Sequence, residues 1–282
     1  MRLANVVDQG RDIVAVVRED RVLPLSLPDA GFESIRAIAA GGTSATARIA
    51  SWVQAQPDAA YRPLETVTLG PAVPDPGAIY TIGHNYLNPN DPDDAGPERP
   101  LVYGKAPTSV AGHRSTLSWD RTITDNVDGE CELAVVMGAE AVAVPRSQAM
   151  THVFGYTCIN DISSRDAWLD GDQWLLGKSM PGFCPVGPWI VTGDELEAAD
   201  LRLGCTINGD AIQDGSTSQM RFAIPDVITY LSRHVTLLPG DLIATGTPAR
   251  LESPPGPERR LRAGDEVTVW IEKIGELTTI IA

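Results

Sequence analysis

From residue 78 onward the chain is a succession of short β-like runs: "AIYTIG", "RPLVYG", "ECELAVVMG", "AVAVP", "VFGYTCIND", "GPWIVTG", "LGCTING", "DLIATGT" and "DEVTVWIE". Only brief helical signals separate them. A doubly wound parallel sheet alternates strands with helices, and that alternation is absent. The clearest helix is "AIPDVITYLSRH". There Ile224, Val227, Ile228 and Leu231 make one apolar stripe, and Pro225 falls in the first turn, where its missing N–H costs nothing. The expected class is mostly β (α+β), with a rolled or sandwich-like core and a few helices on its outside.

The first 70 residues differ. Two β-like runs, "RLANVV" and "DIVAVVRED", precede helical stretches in "FESIRAIAA" and "TARIASWVQAQ". They suggest a small N-terminal α+β domain over 1–70. The proline- and glycine-rich "LGPAVPDPGA" (69–78) reads as a linker, with the main domain over 71–282. A chain of 282 residues, 43% hydrophobic, can bury a large core. No apolar run reaches the eighteen residues of a membrane span. The start lacks the basic and apolar regions of a signal peptide.

Net charge is −15 and the sequence pI is near 4.6. That argues against nucleic acid, which needs a basic stripe, and against anionic membrane surfaces. It suits a soluble, acidic, cytoplasmic protein. An anionic small substrate then requires basic residues that invert the field locally, and Lys105, Arg165 and Lys178 are the candidates. The four cysteines (Cys131, Cys158, Cys184 and Cys205) form no CxxC or Cys/His cluster. They read as free thiols of a reducing compartment, not as a zinc site.

In "NVDGECELAVVMG" (126–138), Glu130 and Glu132 stand at the head of an apolar run. On a strand, residues i and i+2 leave the same face, so the two carboxylates sit about 7 Å apart at the backbone. Like charges that close raise one another's pKa unless a cation lies between them. Asp161 ends "VFGYTCIND", and a strand lying alongside would aim it at the same point. An all-oxygen set without histidine suits a hard divalent ion, Mg²⁺ or Mn²⁺ ahead of Ca²⁺. The competing reading is a solvated pair on an exposed face plus an unrelated turn aspartate; E-x-E alone does not separate the two. Arg165 and Lys178 suit an anionic substrate, or are surface cations in a loop. Thr245-Gly246-Thr247-Pro248 gives backbone N–H groups and a hydroxyl room to approach an oxyanion, or is an ordinary turn.

Taken in order, "DGECELAVVMG", "FGYTCINDISSRD", "GKSMPGFCPVGPWIVTGDEL", "INGDAIQDGSTSQMRFAIPDVITYLS" and "TLLPGDLIATGTP" resemble the fumarylacetoacetate hydrolase family over about residues 78–280. The resemblance implies a mixed β-roll with a small leading domain. It implies Mg²⁺ or Mn²⁺ held by Glu130, Glu132 and Asp161, and a substrate with a 2-oxo acid or 1,3-dicarbonyl group chelated through its oxygens. By the same match Lys178 lies beside metal and substrate, Arg165 is near the pocket, and Thr247 touches a substrate carboxylate or oxyanion. Asn85, Tyr86 and Gly246 fall in the matched binding motifs. A homodimer is implied as well. Family members hydrolyse C–C bonds, decarboxylate β-keto acids, or isomerise such compounds, all through a stabilised enolate. C–C hydrolysis or decarboxylation is the leading expectation. An isomerase or tautomerase is the alternative, and a non-catalytic protein that keeps the metal is a third.

One motif departs. The family's Gly-x-Asn-Tyr-x-x-His appears here as "GHNYLNPN": Gly83, Asn85 and Tyr86 match, but Pro89 stands at the histidine. No glutamate follows at the usual short distance, so the water-activating pair of the family is missing. His84, or an aspartate of the 90–94 loop, is the candidate to replace it.

Overall fold

The computed structural model describes residues 1–25, 32, 34–88, 95–166, 173–251 and 260–282. The strands are Arg2–Asp8 (β1), Arg11–Arg18 (β2), Arg21–Pro24 (β3), Arg62–Pro63 (β4), Thr68–Leu69 (β5), Ile79–Gly83 (β6) and Leu101–Lys105 (β7). Val110–Ala111 (β8), Ser115–Leu117 (β9), Val127–Asp128 (β10), Cys131–Met137 (β11), Val153–Asn160 (β12) and Ser163–Ser164 (β13) follow. Last come Cys184–Thr192 (β14), Arg202–Ile207 (β15), Asp210–Ser216 (β16), Leu242–Ala244 (β17), Glu266–Ile271 (β18) and Gly275–Ile281 (β19). The helices are Ile35–Gln54 (α1), Trp174–Lys178 (α2) and Ile224–Ser232 (α3).

Two sheets carry the architecture. The larger runs β4-β3-β2-β1-β14-β12-β11-β17-β6-β7, and the smaller runs β16-β15-β18-β19-β9. The fold is mostly β with helices at its outside, the class the sequence suggests. The central strand β11 is buried at all seven positions, because both of its faces are covered. Leu133, Val135 and Met137 pack with Leu203, Val269 and Leu277 of the smaller sheet. Ala134 and Val136 alternate to the other face, in one cluster with Ile38 and Ile49 of α1. A strand covered on both faces shows no polar alternation, so "ELAVVM" reads as a plain apolar run.

Helix α1 opens on Ser34, whose hydroxyl accepts from the Ala37 N–H at 3.1 Å. It is kinked at Gly42, where φ is +51°. Helix α3 buries the expected stripe of Ile224, Val227, Ile228 and Leu231.

The N-terminal strands extend the larger sheet. Arg2 and Leu3 of β1 pair with Val191 and Ile190 of β14, so residues 1–70 and 71–282 share one ladder. The stretch expected as a linker is packed: the Ala72 N–H donates to the Val186 carbonyl at 2.9 Å, and Ala72 and Val73 are fully buried. "AVAVP", expected as a strand, forms only the single bridge Ala141–Leu237. Ala143 has φ +48° and Pro145 follows, a combination that breaks a ladder. The four cysteines are free and buried. Among the described residues no helix is long and apolar enough to cross a membrane.

Candidate active site

The ladder between β11 and β12 sets the first three side chains. Cys131 faces Asn160 and Glu132 faces Ile159. Just beyond, the Asp161 N–H donates to the Glu130 carbonyl at 2.8 Å. Asp161 is therefore delivered opposite Glu130, and Glu132 leaves the same face two residues on. Carboxylate oxygens of all three lie within 4.8 Å of one another. Glu132 and Asp161 are almost wholly buried, and the Glu130 side chain is 13% exposed.

Cations answer two of the three charges. Lys178, at the end of α2, touches Asp161 Oδ2, donates to Ser163 Oγ at 3.0 Å, and lies 3.7 Å from Glu130 Oε2. Lys105, at the end of β7, donates to Asp161 Oδ1 at 2.5 Å. Arg165 pairs with Glu130 and, at 3.2 Å, with Asp128, which also pairs with Arg250. For Asp161, burial alone would raise the carboxyl pKa, but Lys105 and Lys178 outweigh it and hold the group well below its usual range. Glu130 behaves alike, with Arg165 and then Lys178 prevailing over burial. Asp161 and Glu130 in turn lift the Lys178 ammonium above its ordinary value, against the pull of burial.

Glu132 is the exception. Its Oε2 accepts the Gly246 N–H at 2.7 Å, and among the described residues no cationic side chain pairs with it. Burial, then the charge of Asp161, pushes its carboxyl well above the ordinary range. A buried carboxylate that Lys178 offsets only in part, beside two more carboxylates, fits a hard divalent ion among the three.

The "TGTP" turn closes over this point. Gly246 has φ +94°, and a Cβ there would meet the Ile82 carbonyl at 2.7 Å, so glycine alone fits. Asn85 braces the turn: its amide donates to the Thr245 and Phe222 carbonyls at 2.8 and 3.1 Å and accepts the Phe222 N–H at 2.9 Å. Thr247 Oγ1 donates to the Cys131 carbonyl at 2.8 Å and accepts from Gln213 at 2.7 Å.

A cavity of about 510 Å³ opens over the carboxylates. Lys178, Arg165, Thr247, Tyr86 and His84 all line it; Asn85 and Gly246 stand behind its wall. Tyr86 is buried, with its phenol beside the Thr245 side chain. His84 is exposed, in the left-handed region at φ +53°. Tyr103 and Trp174 stack at the wall with ring centroids 4.6 Å apart. Pro89 and the 90–94 loop lie outside the described residues.

Sequence reasoning missed Asp128, Gln213 and Arg250. For Asp128 a signal existed: "DGECE" continues the alternation of Glu132 and Glu130 back by one more step. Gln213 sits in a polar strand and Arg250 just past the turn, and neither carries a local mark.

Comparison with known proteins agrees with this geometry. The family model of the fumarylacetoacetate (FAA) hydrolase C-terminal domain matches residues 78–282. A fumarylacetoacetate hydrolase from psychrophilic Exiguobacterium antarcticum superposes with a TM-score of 0.87 at 31% identity, covering 100% of this chain and 99% of that one. A maleylpyruvate hydrolase from Sphingobium sp. SYK-6, in complex with manganese(II) and pyruvate, gives 0.84 at 26% identity with the same coverage. A 5-carboxymethyl-2-hydroxymuconate delta-isomerase from Mycobacterium smegmatis gives 0.78 at 28% identity, again over 100% and 99%. The chain belongs to the fumarylacetoacetate hydrolase family.

Proposed function

We propose that this chain is a divalent-metal-dependent enzyme acting on a 2-oxo acid or 1,3-dicarbonyl compound through an enolate, by C–C bond hydrolysis or decarboxylation. The observation that carries this reading is the convergence of Glu130, Glu132 and Asp161 on one point at a cavity wall. These three would hold Mg²⁺ or Mn²⁺, which when bound supplies Lewis acidity where negative charge develops. The Sphingobium relative, with its manganese and pyruvate, supports both the type of ion and the type of ligand.

The chain's own groups do the rest. Lys178, buried and cationic, offers an ammonium to a substrate oxygen as charge builds on it. Thr247 presents a hydroxyl already oriented by Gln213 and the Cys131 carbonyl. Arg165 holds Glu130 in place at the cavity wall. Tyr86 brings a buried phenol to the cavity wall, suited to donate to an oxyanion. His84, exposed and lining the cavity, is the candidate to pass protons between substrate and solvent. Isomerisation is the second reading, favoured by the Mycobacterium smegmatis relative; it shares the enolate and needs no activated water. A homodimer is proposed on the family resemblance and a cytoplasmic setting on the acidic charge and free cysteines; light scattering at micromolar concentration tests the assembly.

Two reactions on one preparation test the function. One is hydrogen–deuterium exchange at the carbon between the carbonyls, or oxaloacetate decarboxylation; the other is acylpyruvate cleavage. Exchange with brisk cleavage supports a hydrolase, and exchange without cleavage supports decarboxylation or isomerisation. Neither reaction, with metal bound, overturns the enolate reading.

A further inference from the structure

Two lysines hold Asp161, and they are not equivalent. Lys105 stands behind the carboxylate. Its side chain is wholly enclosed, it does not line the cavity, and its Nζ donates to both Asp161 Oδ1 at 2.5 Å and the Ile162 carbonyl at 3.0 Å. Lys178 stands in front. It lines the cavity, touches Asp161 Oδ2, and lies 3.7 Å from Glu130 Oε2. Both oxygens of a carboxylate suited to hold a cation are therefore already engaged. A divalent ion shared by Glu130, Glu132 and Asp161 competes with one of the two ammonium groups, because like charges about 4 Å apart repel.

Lys105 is the costly one to displace. Withdrawn from Asp161, it remains a charge in a closed interior with one carbonyl as partner. Lys178 has somewhere to go. Ser163 Oγ already accepts from it at 3.0 Å, and the cavity adjoins it.

We propose that Lys105 is a positioning residue that fixes Asp161, and that Lys178 is an exchangeable ammonium that yields its Asp161 contact to the divalent ion. On this account Lys178 is presented to substrate only once the ion is bound, so metal must load before substrate. The inference rests on the divalent-ion reading given above.

The test is titration of metal-free, full-length protein with Mn²⁺, following free Mn²⁺ by EPR, for the wild type, Lys178→Met and Lys105→Met. Removing the competing charge should tighten Mn²⁺ binding by about tenfold or more in Lys178→Met. Removing the positioning group should weaken it by roughly 10–100-fold in Lys105→Met, as loss of a supporting partner to a metal ligand does. A merely structural role for both lysines would weaken binding in both variants. Lys178→Gln, with thermal melts to confirm folding, repeats the first arm with a polar side chain. Should Lys105→Met fail to fold, Lys105→Arg replaces it: it keeps the charge but not the fit, so it should bind Mn²⁺ more weakly than wild type, and wild-type or tighter binding overturns the positioning role. Unchanged or weaker binding in both Lys178 variants overturns the exchange while leaving the metal site standing. A wild type that binds no Mn²⁺ overturns the site reading and this inference together.

Discussion

The β11–β12 pair ends in a cavity at each side, and the two cavities differ in kind. One, of about 510 Å³, is walled by Glu130, Glu132, Asp161, Arg165 and Lys178. The other is larger, about 640 Å³, and lies between the kinked part of α1 and the opposite ends of the same strands. Its wall is made of Gly41, Gly42, Thr43, Gly138, Phe154, Tyr156 and similar neutral groups. Its only charged lining residues among those described are Asp194 and Glu197, both exposed. Exposed acids keep their water and need no partner, whereas buried ones must be compensated. Size does not distinguish a site here; enclosed charges that converge do.

The comparison breaks most sharply at Glu132. Glu132→Ala should lose stoichiometric Mn²⁺ on elemental analysis, and activity should fall by roughly 10³-fold or more, since Lewis-acid stabilisation is worth several kcal/mol. A variant that keeps both would return the larger cavity to contention.

The next test is pH. The Glu132 carboxyl is pushed up by burial and then by Asp161, so folding of the metal-free protein takes up a proton at this position. Stability from this group is present below the unfolded value and is lost as pH rises through the folded one. In EDTA, Glu132→Gln should therefore melt above wild type at pH 8, and the gap should close as the solution is acidified. A constant gap would show that Glu132 is not strained by its charge.

A smaller effect is expected at the aromatic wall. Trp174→Ala removes the stack on Tyr103. An aromatic pair is worth about 0.5–1.5 kcal/mol, so KM for an oxo-acid substrate should rise up to about tenfold with kcat little changed. A fall in kcat alone would place the stack among the reacting groups.

The least change belongs to the other cavity. Burial, then Glu197, pushes the Tyr156 phenol up to about 12, so it stays protonated at neutral pH. Tyr156→Phe should leave metal content and turnover as they are and shift stability by no more than about 1 kcal/mol. A large loss of activity would mean that the two ends of the strand pair are coupled.

How much of this was written locally in the chain follows from the range of each contact. Glu130 and Glu132 were legible because a strand's period of two is a local rule. Helix α3 was legible because its stripe repeats within nine residues. Lys105 was visible as a scarce cation, but its bond to Asp161 spans 56 residues, and no spacing predicts that. "DAIQDGS" was not expected as a strand because its residues are polar, yet β15 pairs with it from Asp210 to Ser216 across one bulge, and the ladder overrides weak propensity. The packing of "LGPAVPDPGA" was hidden for the opposite reason. Proline and glycine mark a turn-rich path, and nothing in them says whether another surface will cover it.

The bond from the Asp161 N–H to the Glu130 carbonyl has a consequence for the life of the folded molecule. The proposed ligands sit on or directly beside two adjacent strands in the middle of the larger sheet, tied to one another by the backbone itself. An ion shared by them clamps neighbouring strands together, and those strands cannot part without releasing it. A one-residue slip of that register would also turn Glu132 to the opposite face. Occupancy of the site is then a brake on the opening of the whole central sheet. The loaded protein should resist proteolysis and hot solution for longer, because its unfolding slows.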